Sequence, residues 1–441
     1  MNMSENSTAE GSRSTEGRLV RAIGPWALTA NAINLTLGAG IFVMPATAAG
    51  LMGSSAIFGY LVCGLTMALV LACFAEVGSR VSGSGGAYAY VEAAFGPLPA
   101  FVVGTLLWFG YAAAADAAIA HVWFDNLAEL HPTLKDSWLR PALIIAIIAA
   151  CVGLNVVGLR LGVRVASIFT LTKLLPLLLL LAVGVPAVAS QAATAVETPT
   201  AKQLGDGALV LFFVFAGAEC ALTPSGEIRD PKRTVPRALL IALSTLLVLF
   251  LGLQLVAQGV LGANLASHRT PLAAAAGELL GPTGRFLVVV GAIVSTMGTL
   301  VGDVLATPRA IYATALDGGL PKTLARVSPR FHTPVASIVL FGAVVCAFAL
   351  TGAFRQLAAL ASASVLVIYS LVCLAALRLR YSWTGPLESG GFQTPGGPVV
   401  ALLAIASVGW LLAHLKLAEW LSLGVFVALA LAVYGLSRRR L

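Results

Sequence analysis

Charge is scarce in this chain. Only 10% of its 441 residues are Asp, Glu, Lys or Arg, while 59% are hydrophobic. Soluble domains carry roughly 25% charged residues, so the composition excludes a water-soluble globular protein and implies a polytopic membrane protein. Long polar stretches are missing as well. No link between apolar runs exceeds about 25 residues, far below the size of a soluble domain. The net charge of +8 is scattered over these links, so nucleic acid is not an expected partner.

Ligand-bearing patterns are also absent. Cys63, Cys73, Cys151, Cys220, Cys346 and Cys373 all lie in apolar runs and form no CxxC pair. They read as small buried hydrophobes and not as a disulfide framework or metal site. His121, His131, His268, His332 and His414 lack ligand spacing, so neither metal nor cofactor is expected. There is no Walker motif, which argues against ATP-driven chemistry. The glycine-rich Ser82–Tyr88 stretch opens no strand–helix unit and is no phosphate cradle. With no nucleophile constellation either, an enzyme is not expected. The first 17 residues are Ser-, Glu- and Gly-rich without an apolar h-region, and read as a disordered tail, not a cleaved signal peptide.

What the chain does have is apolar runs. Twelve, each long enough for a bilayer core, lie near 24–49, 54–80, 97–124, 139–158, 162–188, 204–226, 235–259, 283–313, 334–352, 356–378, 398–414 and 418–437. His414, Lys416 and Glu419 interrupt the last two. The expected fold is an all-α polytopic membrane protein of about twelve transmembrane helices. With the N-terminus inside, 19 of the 27 Lys and Arg residues fall on the cytoplasmic side, seven fall outside and Lys173 lies within a span. That bias places both termini in the cytoplasm. Residues 1–21 would be a cytoplasmic tail, 22–380 a ten-helix core, and 381–441 two further helices with a short basic end.

Two runs are interrupted. The sixth reaches Ala216-Gly217-Ala218 and then Glu219, followed by a charged loop from Glu227 to Arg237 with Pro236 near the start of the next helix. A carboxylate at bilayer depth must face protein or a wet cavity, and non-helical backbone there is tolerated only where it lines one. The first run has three small residues in mid-span, Gly38-Ala39-Gly40. A break there would leave N–H groups aimed at a carboxylate and carbonyls around Thr36 aimed at an ammonium group. Either interruption alone also reads as a helix-packing face. Breaks in spans 1 and 6 together point to a five-plus-five inverted repeat with a solute site between its halves.

Four motifs carry a resemblance. They are Gly38–Pro45 (GAGIFVMP), Glu76–Pro97, Phe212–Ala238 (FFVFAGAECALTPSGEIRDPKRTVPRA) and Thr307–Val327. In this order and spacing the chain resembles the amino acid–polyamine–organocation superfamily of transporters from about residue 22 onward. The resemblance implies alternating access and a substrate held by the broken first and sixth helices. It implies that Gly38, Ala39, Gly40 and Ile41 receive the substrate carboxylate. Carbonyls of Thr36, Phe213 and Ala216 would receive the amino group, beside Gly217, and Phe213 and Phe215 would wall the pocket.

Asp116, Lys173, Glu219 and Asp303 lie well inside spans and are functional candidates, because unpaired burial costs several kcal/mol. Lys173 resembles the fifth-span lysine that replaces sodium in some family members; a snorkelling lysine is the plain alternative. Glu219 resembles a gating acid of acid-resistance exchangers. Asp303 stands where arginine–agmatine exchangers place a bulky aromatic gate, which argues against a gate of that type. Asp116 and Asp303 either contact a cationic side chain or serve as packing carboxylates bonded to hydroxyls such as Thr296 or Thr299. Glu76, nearer the cytoplasmic end of span 2, reads as readily as structural.

The function expected is Na⁺-independent amino-acid transport, by proton symport or exchange. A polyamine or cationic amino-acid carrier is the nearer alternative. A sensor would need an output domain, and a channel a continuous polar pore; the sequence offers neither. The implied partners are a small amino acid or amine, protons and the lipid bilayer.

Overall fold

The structure, a computed structural model, describes residues 23–81, 86–135, 138–157, 173–189, 197–222, 228–316, 318–382 and 392–438. Arg160 and Arg164, the first half of the fifth expected span, and Glu227 lie outside them. The described residues are helical apart from turns and one isolated parallel bridge, Ile23 to Ile228.

Among the described residues, seven helices are long and apolar enough to cross a membrane: Met44–Gly78, Pro97–Leu130, Leu139–Val157, Arg233–Ser267, Pro271–Leu316, Phe354–Ser382 and Leu417–Leu436. Leu174–Ala189, Val335–Thr351 and Gly397–Leu412 are shorter apolar helices. The first and sixth expected spans are not continuous helices. Helix α1 (Pro25–Thr36) ends at Leu37 and Gly38, a tight turn covers Ala39–Phe42, and α2 (Met44–Met52) resumes. Then come α3 (Ala56–Gly78), α4 (Ala87–Phe95), α5 (Pro97–Thr105), α6 (Ala113–Leu130), α7 (Leu139–Val157), α8 (Leu174–Ala189) and α9 (Ala201–Leu211). A wide π turn, Leu106–Ala112, joins α5 to α6. Helix α9 starts on a capping box between Thr200 and Gln203 and gives way to tight turns at Phe212–Val214 and Ala218–Leu222. The remaining helices are α10 (Pro231–Leu261), α11 (Pro271–Leu316), α12 (Val335–Thr351), α13 (Phe354–Ser382), α14 (Gly397–Leu412) and α15 (Leu417–Arg438).

Local chemistry sets several of these boundaries. Pro231, not Pro236, opens α10, because a proline at the first helical position loses no hydrogen bond; Pro236 sits inside the helix. Gly281, at φ 67°, kinks α11 just before Pro282. Leu240, Val248 and Leu255 on α10 and Leu402 and Leu403 on α14 are exposed, the pattern of surfaces solvated by lipid. The core lies elsewhere: 72% of the most apolar window of α13 is buried, against 17% for α15, so α13 is central and α15 peripheral.

Glu76 has a structural place. Its carboxylate accepts from Arg80 at 2.9 Å, from Arg380 at 3.1 and 3.2 Å and from the Thr394 N–H at 3.2 Å. That clasp ties α3 to α13 and to the link before α14.

Candidate functional site

The two breaks lie against each other. Gly217 adopts φ +119°, and a Cβ there would stand 2.6 Å from the Leu35 carbonyl oxygen. Only glycine fits so close an approach in that conformation. Gly40 packs on the other break in turn: a Cβ would meet Val214 at 2.6 Å and the Phe213 ring at 2.9 Å. The sequences that enter the two segments are also paired, since the Arg229 N–H donates to the Ile23 carbonyl at 2.9 Å.

Each break is closed by one charged side chain. Lys173, 6% exposed, donates from Nζ to the carbonyls of Asn34 and Leu37, both at 2.7 Å. These carbonyls belong to the end of α1, where helix termination removes their usual N–H donors. The Thr36 carbonyl accepts the Gly38 N–H at 2.8 Å. Ala39 and Gly40, first in the following turn, have N–H groups without a helical acceptor. At the second break, Glu219 Oε2 accepts the Gly217 N–H at 2.9 Å, so the carboxylate caps the turn it begins. Cation on carbonyls and anion on N–H is the arrangement that helix-end dipoles favour.

A second cluster joins this one. Asp116 on α6 and Asp303 on α11 face each other, with Lys173 near Asp303. Asp116 is fully buried, and among the described residues no N–H or hydroxyl group donates to its oxygens, which leaves the Asp303 carboxyl as their polar neighbour. Asp303 is half-buried. Tyr111, on the π turn, stands near Glu219, Cys220, Asp303 and Asp116, and Tyr369 of α13 stands near Glu219. At Gly38 and at Gly302, beside Asp303, an added Cβ would meet nothing within 4 Å. Lys173, Asp303, Asp116 and Glu219 thus form one cluster of charged groups beside the two breaks. Among the described residues no group of three or more His, Cys, Asp or Glu could hold a metal ion.

Several expected placements change. Thr296 and Thr299 do not serve the carboxylates: their hydroxyls donate to Ala292, Ile293 and Ser295 carbonyls of their own helix. Such back-bonding is the default for a threonine inside a helix. Cys220 is not a buried hydrophobe; it is exposed on the turn after the second break, beside Glu219 and Asp303. Phe213 and Phe215 part company. Phe213 packs edge-on against Phe354 at 6.1 Å, whereas Phe215 is buried against Phe250 at 5.1 Å and Tyr60 at 6.5 Å. Ala216, directly after Phe215, is buried, with its neighbour Gly217 making the turn. Ile41 is buried in the first turn. Sequence reasoning missed Tyr369, an unremarked tyrosine in an apolar run. It also missed Tyr111, whose signal was its place five residues before Asp116.

The amino acid permease family model matches residues 23–433. The chain belongs to that family. With it comes membership of the amino acid–polyamine–organocation superfamily. The permease is 27% identical to a methylthioribose transporter of Bacillus subtilis, over 96% of this chain and 94% of the relative. It is 27% identical to a serine/threonine exchanger of the same organism, over 92% and 95% of the two chains. A vacuolar cationic amino acid transporter of Arabidopsis thaliana is 26% identical, over 80% of this chain and 62% of the relative. Its relatives carry the names of transporters, and the permease is a multi-pass membrane protein.

Proposed function

We propose that this permease is a secondary active transporter that moves amino acids across the inner membrane by alternating access, without sodium, as a proton symporter or an exchanger. The observation that carries the reading is Lys173 bonded to Asn34 and Leu37 at the end of α1. A fixed ammonium group there supplies the charge a bound Na⁺ would supply to the same carbonyls. The free N–H groups of Ala39 and Gly40 suit a substrate carboxylate, as unpaired donors at a helix start do. Carbonyls near Thr36, Phe213 and Ala216 suit its amino group.

In this reading the interrupted first and sixth spans complete a set of twelve, ten of them in an inverted five-plus-five repeat, with both termini cytoplasmic. In the same reading the Phe213–Phe354 ring pair, with centroids 6.1 Å apart, would cover the site on the outer side. Glu219 and Lys173 couple the two breaks to protonation and gating.

A second reading has its own support. The facing carboxyl groups of Asp116 and Asp303 would receive a cationic side chain or a polyamine, and the Arabidopsis relative is named for cationic amino acids. One experiment separates the two: uptake of a panel of labelled neutral and cationic amino acids and polyamines by the purified protein in liposomes. Neutral amino acids alone should accumulate on the first reading. Accumulation of arginine, lysine or a polyamine, lost in Asp303→Asn, would establish the second. No uptake of any amino acid or amine would overturn both.

A further inference from the structure

A cavity of ≈ 210 Å³ lies apart from the breaks, on the side that the orientation above makes external. This is slightly below the roughly 300–1,000 Å³ of pockets for drug-sized ligands, a fit for one small solute. Three elements supply its polar lining: Asp206 from α9, Arg355 and Gln356 from the start of α13, and His414, Lys416 and Glu419 from the link between α14 and α15 and the first turn of α15. Charges of both signs therefore converge from segments distant in sequence.

The lining is unevenly satisfied. Asp206 pairs with Lys202, one turn earlier on α9. One oxygen of Glu419 accepts the Lys416 backbone N–H at 2.8 Å. His414 Nδ1 bonds the Trp410 carbonyl at 2.9 Å, and its ring lies flush on Gly205, where a Cβ would come within 2.4 Å of it. Gln356 accepts the Ala353 N–H at 3.1 Å and so caps the start of α13. Among the described residues Arg355 and the Lys416 ammonium group have no side-chain partner in an ion pair or hydrogen bond. The cavity thus offers two free cations beside two carboxylates that keep acceptor capacity. A guanidinium fork binds a carboxylate through two parallel N–H bonds, and the positive end of α13 lies at the same place.

The floor connects this cavity to the breaks. Leu209 and Val210 line it and run directly into Phe212 and Phe213. The ring that covers Phe213 is Phe354, the residue before Arg355. Anything held by Arg355 therefore sits on the outer face of the aromatic pair that closes off the site.

We propose that this cavity is a second amino-acid site, in which Arg355 and Lys416 hold the α-carboxylate and Asp206 and Glu419 the α-ammonium of a zwitterion outside the Phe213–Phe354 pair. The proposal rests on the amino-acid reading of the site at the breaks. It makes the outer mouth selective before that site is reached, since a solute lacking either charge leaves part of the lining unpaired.

The test is equilibrium binding to the purified full-length protein, with the labelled amino acid that the uptake panel shows to be transported. Wild type should bind two molecules per chain. Arg355→Gln should bind one, with folding checked by an unchanged melting temperature, and Lys416→Gln should weaken the second molecule at least fivefold. Gly40→Val, which obstructs the breaks, should retain the molecule that Arg355→Gln loses. The amide of the same amino acid should occupy neither the outer cavity nor compete there. One molecule per chain in wild type, or two in Arg355→Gln, overturns the proposal and leaves the transport reading standing. Absence of any amino-acid binding overturns the transport reading, and this proposal with it.

Discussion

The two breaks solve one physical problem with opposite means. In the first, α1 stops and leaves carbonyls behind; a cation from α8's leading end, Lys173, takes those of Asn34 and Leu37. In the second, the chain turns at Gly217 and leaves an N–H; an anion two residues on, Glu219, takes it at 2.9 Å. The first patch comes from 139 residues away in the sequence, the second from the break itself. A long-range patch fastens separate helices together, so it can be coupled to their relative motion. A local patch stabilises one turn and moves with it. The steric situation is the reverse. Gly217 is locked by a positive φ and by Leu35, whereas Gly38 has an ordinary φ of −86° and open space around it. One break is tight and locally satisfied; the other is roomy and held from outside.

The tightest point should give the largest effect. Gly217→Ala forces a side chain into φ +119° and against the Leu35 carbonyl. The conformation alone costs about 1–3 kcal/mol, before the clash. Transport should be abolished and the melting temperature of the purified protein lowered by several degrees. Wild-type uptake in this variant would show that the second break can relax, and the contrast between the breaks would fail.

Lys173→Ala tests the long-range patch. It strands two carbonyls, each at about 1–3 kcal/mol when buried without a donor. Transport should fall on the order of tenfold to a hundredfold, with a smaller thermal shift than that of Gly217→Ala. Lys173→Arg should not restore it, because a planar fork does not replace a compact ammonium group. Uptake by wild type should be indifferent to replacing Na⁺ by K⁺ or choline at constant ionic strength. A strict Na⁺ requirement would leave Lys173 a structural residue and remove the parallel with a bound cation.

The contrast also shows what could be read from residues alone. Both interruptions were legible, because three small residues in mid-span followed or preceded by polar chemistry are rare in an apolar run, and Lys173 lay too deep for easy snorkelling. The direction of each patch was not. Nothing in the sequence says that Glu219 turns back on Gly217, or that Phe213 and Phe215 face different neighbours, since a tight turn abandons the helical period on which such arguments rest. The hydroxyls of Thr296 and Thr299, offered by the sequence as one alternative partner for the carboxylates, are satisfied by their own helix. His414, Lys416 and Glu419 looked like an irregular gap between the last two spans. Only tertiary packing against α9 and α13 brings them to one cavity with Asp206 and Arg355.

The smallest structural effect should come from Gly38→Ala, and it is the most informative about the roomy break. The residue sits at φ −86° and ψ −162°, an extended conformation any side chain adopts. An added methyl meets no protein atom within 4 Å. Folding and melting temperature should therefore match wild type. If the open space beside Gly38 is where the substrate lies, the methyl competes with it, and one misplaced methyl in a pocket is worth about 1–3 kcal/mol. Substrate affinity should drop roughly tenfold or more with the fold intact. An Ala variant that binds as tightly as wild type would mean that the space is not used. The site would then have to be sought around Asp303 and Gly302, where an added Cβ also meets nothing within 4 Å.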